Sequence, residues 1–390
     1  MSTITAPSPG SHRAHASHHA LSELAHRGEA FANIGPNWFA AVMGTGILAT
    51  AALLLPVHVA GQTGFAIGAW ALAAVLLVVV TAATIAHWVR YPAIARSHHR
   101  NPAMAPFYGA PPMAILTVGA GTLLAGSQVI GIGPAVTIDE LLWTIGTVAG
   151  LACTIAIPYF MFTGPELTLE QVNGGWLMAI VPPMVSAATG AALIAHLPAG
   201  QDQLTLALAC YGMFGISLLA SLIVFGLLVA RLARHGAGPA QLVPTLWIGL
   251  GPLGQSITAV GLLAKAAQPA LPSSFGSAIH GLVLVYGIPV WGFAMVWLTI
   301  AAAMTIRTAR RGLPFAMTWW SFTFPVGTMV TGTSELSATL GAHVLTWAAV
   351  ALFGLLLANW LSVATRTARG TRRGSLLNGP ARVVGAPINK

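Results

Sequence analysis

Charge is what this sequence has least of. Only 6% of its 390 residues are Asp, Glu, Lys or Arg, against roughly 25% in soluble domains. With 56% of residues apolar and a mean hydropathy of +0.78, the chain has too little polar surface to coat a water-soluble globule, and its solvent is lipid. Cysteine is nearly missing: Cys153 and Cys210 lie in separate apolar stretches, which argues against a disulfide framework. The first thirty residues hold Arg13, Arg27 and five histidines but no apolar h-region, so they do not read as a cleaved signal peptide.

Catalytic signatures are missing too. Neither H-E-x-x-H nor G-x-S-x-G occurs, and no enzyme is expected. "GLGPLG" (Gly249 to Gly254) fits G-x-G-x-x-G on paper, but it lies in an apolar span, contains a proline and follows no strand. No cofactor is expected. His12, His15, His18 and His19 read as part of a polar, disordered tail rather than a metal site. His87, His196, His280 and His343 fall near span ends and read as interfacial.

What the chain does have is long apolar runs. Ten are centred near residues 45, 76, 119, 150, 185, 217, 254, 290, 328 and 354, and about 20 apolar residues suffice to cross a bilayer as a helix. The loops between them alternate sharply in charge. Sixteen of the seventeen Lys and Arg fall on one side, leaving Lys265 alone on the other. The positive-inside rule then places both termini in the cytoplasm of a multi-pass cell-membrane protein. The net charge of +9 is a topology signal that can also touch anionic headgroups, and no nucleic-acid partner is expected. The division expected is a polar, disordered cytoplasmic tail over 1–30, a ten-helix transmembrane domain over 31–365 and a basic cytoplasmic tail over 366–390.

Odd-numbered spans share prolines among small residues: "IGPNWFAAVMGTGI", "GAPPMAILTVGAGT", "MAIVPPMVSAATGA", "GLGPLGQSITAV" and "FTFPVGTMVTGT". Pro36, Pro112, Pro183, Pro252 and Pro325 follow one another at steps of 76, 71, 69 and 73 residues. A two-helix period repeated five times predicts five tandem hairpins. The expected fold is all-α, with ten transmembrane helices in a quasi-fivefold ring around a central pore and the small-residue helices inside. Pro112, Pro183, Pro252 and Pro325 are expected to kink those helices. All five would point their positive dipole ends at the cytoplasmic mouth, favouring anions there.

On a helical projection of the ninth span, Phe324, Gly327, Thr328, Thr331 and Glu335 share one face, and Phe322, Val326, Met329, Thr333 and Leu336 form a roughly opposite stripe. Phe324 is then a lone ring among small neighbours, as a dewetting gate would be, although an ordinary packing role fits the same position. Polar lining candidates are Thr45, Thr117, Ser186, Gln255, Thr258, Thr328 and Thr331; such hydroxyls can equally bond back to their own helix. No Lys or Arg lies deep in an inner span, which favours weak, multi-site passage over a tight dicarboxylate pocket. Glu335, roughly 24 Å along the helix from Trp319, falls near the outer mouth, where it either tunes permeation or sits in water.

"GPNWFAAVMGTGI", "FYGAPPMAILTVGAGT", "LGPLGQS" and "WWSFTFP" together resemble the tellurite-resistance/dicarboxylate transporter family, over roughly residues 31 to 365. That family includes bacterial TehA, the plant slow anion channels, yeast malate permease and the yeast sulfite pump. The resemblance implies five hairpins around a pore, a gate at Phe324 in the aromatic-Ser/Thr-Phe-Pro motif, and a homotrimer with one pore per subunit. The activity expected is passage of small anions, most simply efflux of sulfite or similar monovalent ions. A proton-coupled C4-dicarboxylate or sulfite carrier, or a tellurite-resistance protein, is the alternative.

Overall fold

The computed structural model describes residues 27–164, 166–266 and 273–378. The expectations for His12, His15, His18 and His19, and the charges Arg13, Arg382 and Lys390, fall outside them. The described residues are helical and include no strand. In order they form α1 (Phe39–Leu54), α2 (Gln62–Arg90), α3 (Pro92–His98) and α4 (Ala110–Gly121). A π-turn leads from α4 to α5 (Ser127–Ile130), and α6 (Ile132–Thr163), α7 (Pro182–Ile194) and α8 (Gln201–His235) follow. The last four are α9 (Leu250–Ala266), α10 (Ser273–Ala309), α11 (Phe324–Leu340) and α12 (His343–Arg373).

Burial sorts the long helices into two sets. In the apolar windows of the segments that carry α1, α4 and α9, 67–89% of residues are buried, whereas in α2, α6, α8, α10 and α12 only 22–28% are. Residues Phe324 to Ser337 of α11 and nearly all of α7 are buried as well. The inner set is rich in Gly, Ala and Thr. The outer set exposes Val78, Val148, Ile223, Val285 and Trp347, a surface that suits lipid and would be costly in water.

Eight helical segments among the described residues are long and apolar enough to span a membrane, rather than the ten expected. The two that fall short are α7, with 13 residues, and α11, with 17. Each is shortened because a preceding six-residue segment, Gly174–Ala179 or Met317–Phe322, winds as a 3₁₀ helix. The same device precedes the other inner helices, at Pro36–Trp38, Ala105–Gly109 and Ala240–Gly249.

This placement corrects the expectation for the prolines. Pro112, Pro183, Pro252 and Pro325 occupy the second or third position of their α-helices. In the first turn no intrahelical N–H is lost and the fixed φ suits helix entry. They start helices and do not kink them. Prolines in α-helix interiors occur instead in the outer set, at Pro158 and Pro289.

The inner helices pack in a closed cycle, α1 on α4, α4 on α7, α7 on α9, α9 on α11 and α11 back on α1. Glycine sets the closest approach. A Cβ on Gly254 of α9 would fall 2.5 Å from the Thr328 carbonyl carbon, and one on Gly327 would collide with Ile47 of α1. The 3₁₀ segments form their own collar at one end, where Gly109 lies against the Met178 carbonyl and Gly174 against that of Thr245.

Outer helices are fastened to the inner limb of the next hairpin by indole N–H groups. Trp70 of α2 donates to the Thr122 hydroxyl, Trp143 of α6 to the Ser186 carbonyl, Trp291 of α10 to the Thr333 hydroxyl and Trp360 of α12 to the Thr45 hydroxyl, at 2.9, 2.9, 2.9 and 3.1 Å. A buried indole needs such an acceptor. The last bond ties the final hairpin to the first.

Arginines gather at the collar end. Arg90, Arg234, Arg307, Arg372 and Arg373 sit in the last turns of outer helices, where positive charge suits the helix dipole. α12 carries the helix through Arg373, beyond the expected boundary at residue 365. Arg231 is buried and donates to the Gly236 carbonyl at 2.7 Å, so it closes the end of α8 as well as adding charge. His87, expected at the interface, is buried, with Nδ1 2.8 Å from the Phe31 carbonyl.

Candidate functional site

Inside the collar lies a cavity of ≈ 20 Å³, room for about one water. All five inner limbs contribute to its wall: Met43 from α1, Phe107 and Met113 from the α4 limb, Met178 and Val181 before α7, Ile248 and Pro252 around α9, and Met317, Trp320 and Phe324 around α11. No charged side chain lines it, and Ser321 is its one hydroxyl. Phe324 is 5% exposed. It is the first residue of α11, so its direction is fixed by the step from 3₁₀ to α-helix. Thr323 stabilises that step by donating to the Trp320 carbonyl at 2.7 Å. A thioether is soft and flexible, so the methionines fill the irregular space around the phenyl ring.

At the far end of α9 and α11 the chemistry reverses. Lys265 Nζ lies 2.6 Å from Glu335 Oε2, with side-chain exposures of 47% and 7%. The expectation that Glu335 sits in water is therefore corrected: it is buried against Gly261 and held by the lone basic residue of that end. Glycine at 261 makes the space for it.

The seven polar candidates separate into four groups. Thr45 and Ser186, expected to line a path, are engaged by the outer set: Thr45 accepts from Trp360, and Ser186 accepts from Thr147 of α6 at 2.9 Å. Thr258, Thr328 and Thr331 join α9 to α11. The hydroxyls of Thr258 and Thr331 are 2.8 Å apart, and Thr328 donates to Pro325 and Leu250 carbonyls at 2.7 and 3.2 Å. The shared face read for α11 is thus largely a helix seam. Thr117 bonds back to Met113 at 2.7 Å and packs on Gly46. Gln255 follows a cavity-lining residue, Pro252, by three positions, and its buried amide oxygen has no hydrogen-bond partner among the described residues.

The methionine wall is a feature that the helical projection and the proline repeat do not bring out. Met43, Met113, Met178, Ile248 and Met317 recur at steps of 70, 65, 70 and 69 residues, a signal present in the sequence at nearly the same period as the prolines. Among the described residues no cluster of His, Cys, Asp or Glu could hold a metal.

The model for voltage-dependent anion channels (SLAC1) matches residues 33–368, which takes in every inner limb and all of the cavity wall. The chain belongs to this voltage-dependent anion channel family. Relatives within it include an uncharacterized transporter of Methanocaldococcus jannaschii, 26% identical over 349 residues, covering 89% of this chain and 96% of the relative. A sulfite efflux pump of Arthroderma otae is 27% identical over 321 residues, covering 81% and 84%. A malic acid transport protein of Schizosaccharomyces pombe is 23% identical over 201 residues, covering 48% and 44%. The resemblance read from the proline-bearing stretches thus holds at the level of the family, and with the apolar helices it makes this a multi-pass membrane protein of an anion-transporting family.

Proposed function

We propose that this chain conducts small monovalent anions, sulfite-like ions among them, outward along an axis formed by its five inner helices, with Phe324 as the gate. In this reading ten helices form a ring of five hairpins, both termini are cytoplasmic in the cell membrane, and the assembly is a homotrimer with one path per chain. The observation that carries the gate is the apolar cavity inside the collar: five limbs converge on it, no charge offers an ion a stopping place, and a phenyl ring helps close it. In this reading the uncharged, apolar wall disfavours a continuous column of water and hence ions, and the path opens when the ring moves. Arginine-bearing helix ends around the collar raise the local concentration of anions.

Purified protein in liposomes tests this. Wild type should pass sulfite, chloride and nitrate slowly, and Phe324→Ala should raise those fluxes at least about ten-fold, with malate lagging, because removing the ring widens a dewetted constriction. Loss of activity in Phe324→Ala would overturn the gate. The buried Glu335 favours one rival, a proton-coupled carrier, since such a carrier needs a titratable group. Uphill malate or sulfite transport that needs a proton gradient and disappears in Glu335→Gln would establish that rival.

A further inference from the structure

At the far end α2 and α12 meet, Phe65 and Phe353 packing edge to face at 6.2 Å. Towards the collar, residues of both helices line a groove of ≈ 700 Å³, within the range of small-molecule sites. Its walls are apolar, Leu76 and Val80 on α2 and the small Ala364 and Ala368 on α12. Trp320 lies at its floor and Arg372 at its collar-side rim. A second guanidinium, Arg90, stands 5.5 Å over the ring of Phe31, another wall residue. No carboxylate is among the lining residues.

We propose that this groove binds one anionic phospholipid, an acyl chain lying between α2 and α12 and the phosphate meeting Arg372. Three observations select that occupant. The groove runs along the helices on the face that the exposed outer set presents to lipid. From Trp360 to Arg372 the α12 wall is about 18 Å long, close to the roughly 15 Å of one leaflet's hydrocarbon. Its charge is all at one end and all positive, which complements a headgroup at the membrane surface.

The site has a route to the gate. Trp320 lines both the groove and the Phe324 cavity, and its indole N–H donates to Thr367 of the groove wall at 3.0 Å. That consequence rests on the proposed function; the binding itself does not.

Native mass spectrometry of the full chain, released from nanodiscs of mixed phosphatidylcholine and phosphatidylglycerol, reads it directly. One phosphatidylglycerol per chain should survive activation that strips phosphatidylcholine. Arg372→Gln should weaken retention about five-fold, the worth of one arginine near an anionic surface, and Ala368→Trp should weaken it at least as much by obstructing the acyl-chain path. Leu284→Trp, on the exposed face of α10, should retain lipid like wild type and controls for the added ring. Equal retention of both lipids, or undiminished retention in Ala368→Trp with an unchanged melting temperature, overturns the proposal. So does disulfide capture of a second copy by Ala364→Cys with no lipid retained.

Discussion

The two ends of α11 are built from opposite materials. Its first residue, Phe324, sits among methionines, prolines and aromatic rings with no charge on the cavity wall; its twelfth, Glu335, is paired with Lys265 at 2.6 Å. Between them Thr328 and Thr331 bind α11 to α9. Under the proposed function, one helix would offer an ion an apolar constriction at the collar and a charged pair at the far end. An apolar end gates without binding tightly, and a charged end can influence entry without blocking. Changes at the two ends should accordingly have different signatures, flux at one and stability at the other.

The largest effect is expected at the dry end, where Phe324→Ala should raise anion flux at least about ten-fold by removing the constriction. Second is the seam between the ends. Gly254→Val puts a methyl-bearing carbon into the Thr328 backbone and should cost about 1–3 kcal/mol, read as a lower melting temperature and lower yield of folded protein. At the charged end, the exposures in the pair predict an asymmetry. Lys265→Met leaves a buried acid without its partner and should cost about 1–3 kcal/mol, whereas Glu335→Gln leaves only a half-exposed lysine and should cost under about 1 kcal/mol. Equal losses would mean that both groups are wet. Smallest is Pro325→Ala: a first-turn proline limits mainly the unfolded chain, so thermal unfolding should shift by no more than about 1 kcal/mol, and a large change would restore the kink reading.

Much of this architecture is legible in the amino-acid order. The prolines at a two-helix period mark the five inner limbs, and "WWSFTFP" marks Phe324, because repeats and motifs are properties of one dimension. Direction is what the order of residues does not carry. Thr45 and Ser186 read as lining hydroxyls in otherwise apolar spans, yet they turn to Trp360 and Thr147, since which face of a helix looks inward depends on where its neighbours' donors fall. The indoles of Trp70, Trp143, Trp291 and Trp360 repeat like the prolines, but their role depends on an acceptor in another hairpin. The prolines mislead for a related reason. Hydropathy alone does not distinguish a 3₁₀ entry from the first turns of an α-helix, so residues at helix starts look like helix interiors. Glu335 looks solvated for want of a visible partner, because Lys265 lies seventy residues away and reads, in one dimension, only as a topology signal.

The central claim, that bulk at position 324 holds an apolar constriction shut, is tested most directly by anion flux through a size series in liposomes: Phe324→Trp, wild type, Phe324→Leu and Phe324→Ala, at matched protein density. The account predicts flux rising in that order, with chloride and nitrate following the same ranking. Flux that falls as the side chain shrinks, or that ignores it altogether, would contradict the gate and return Phe324 to ordinary packing.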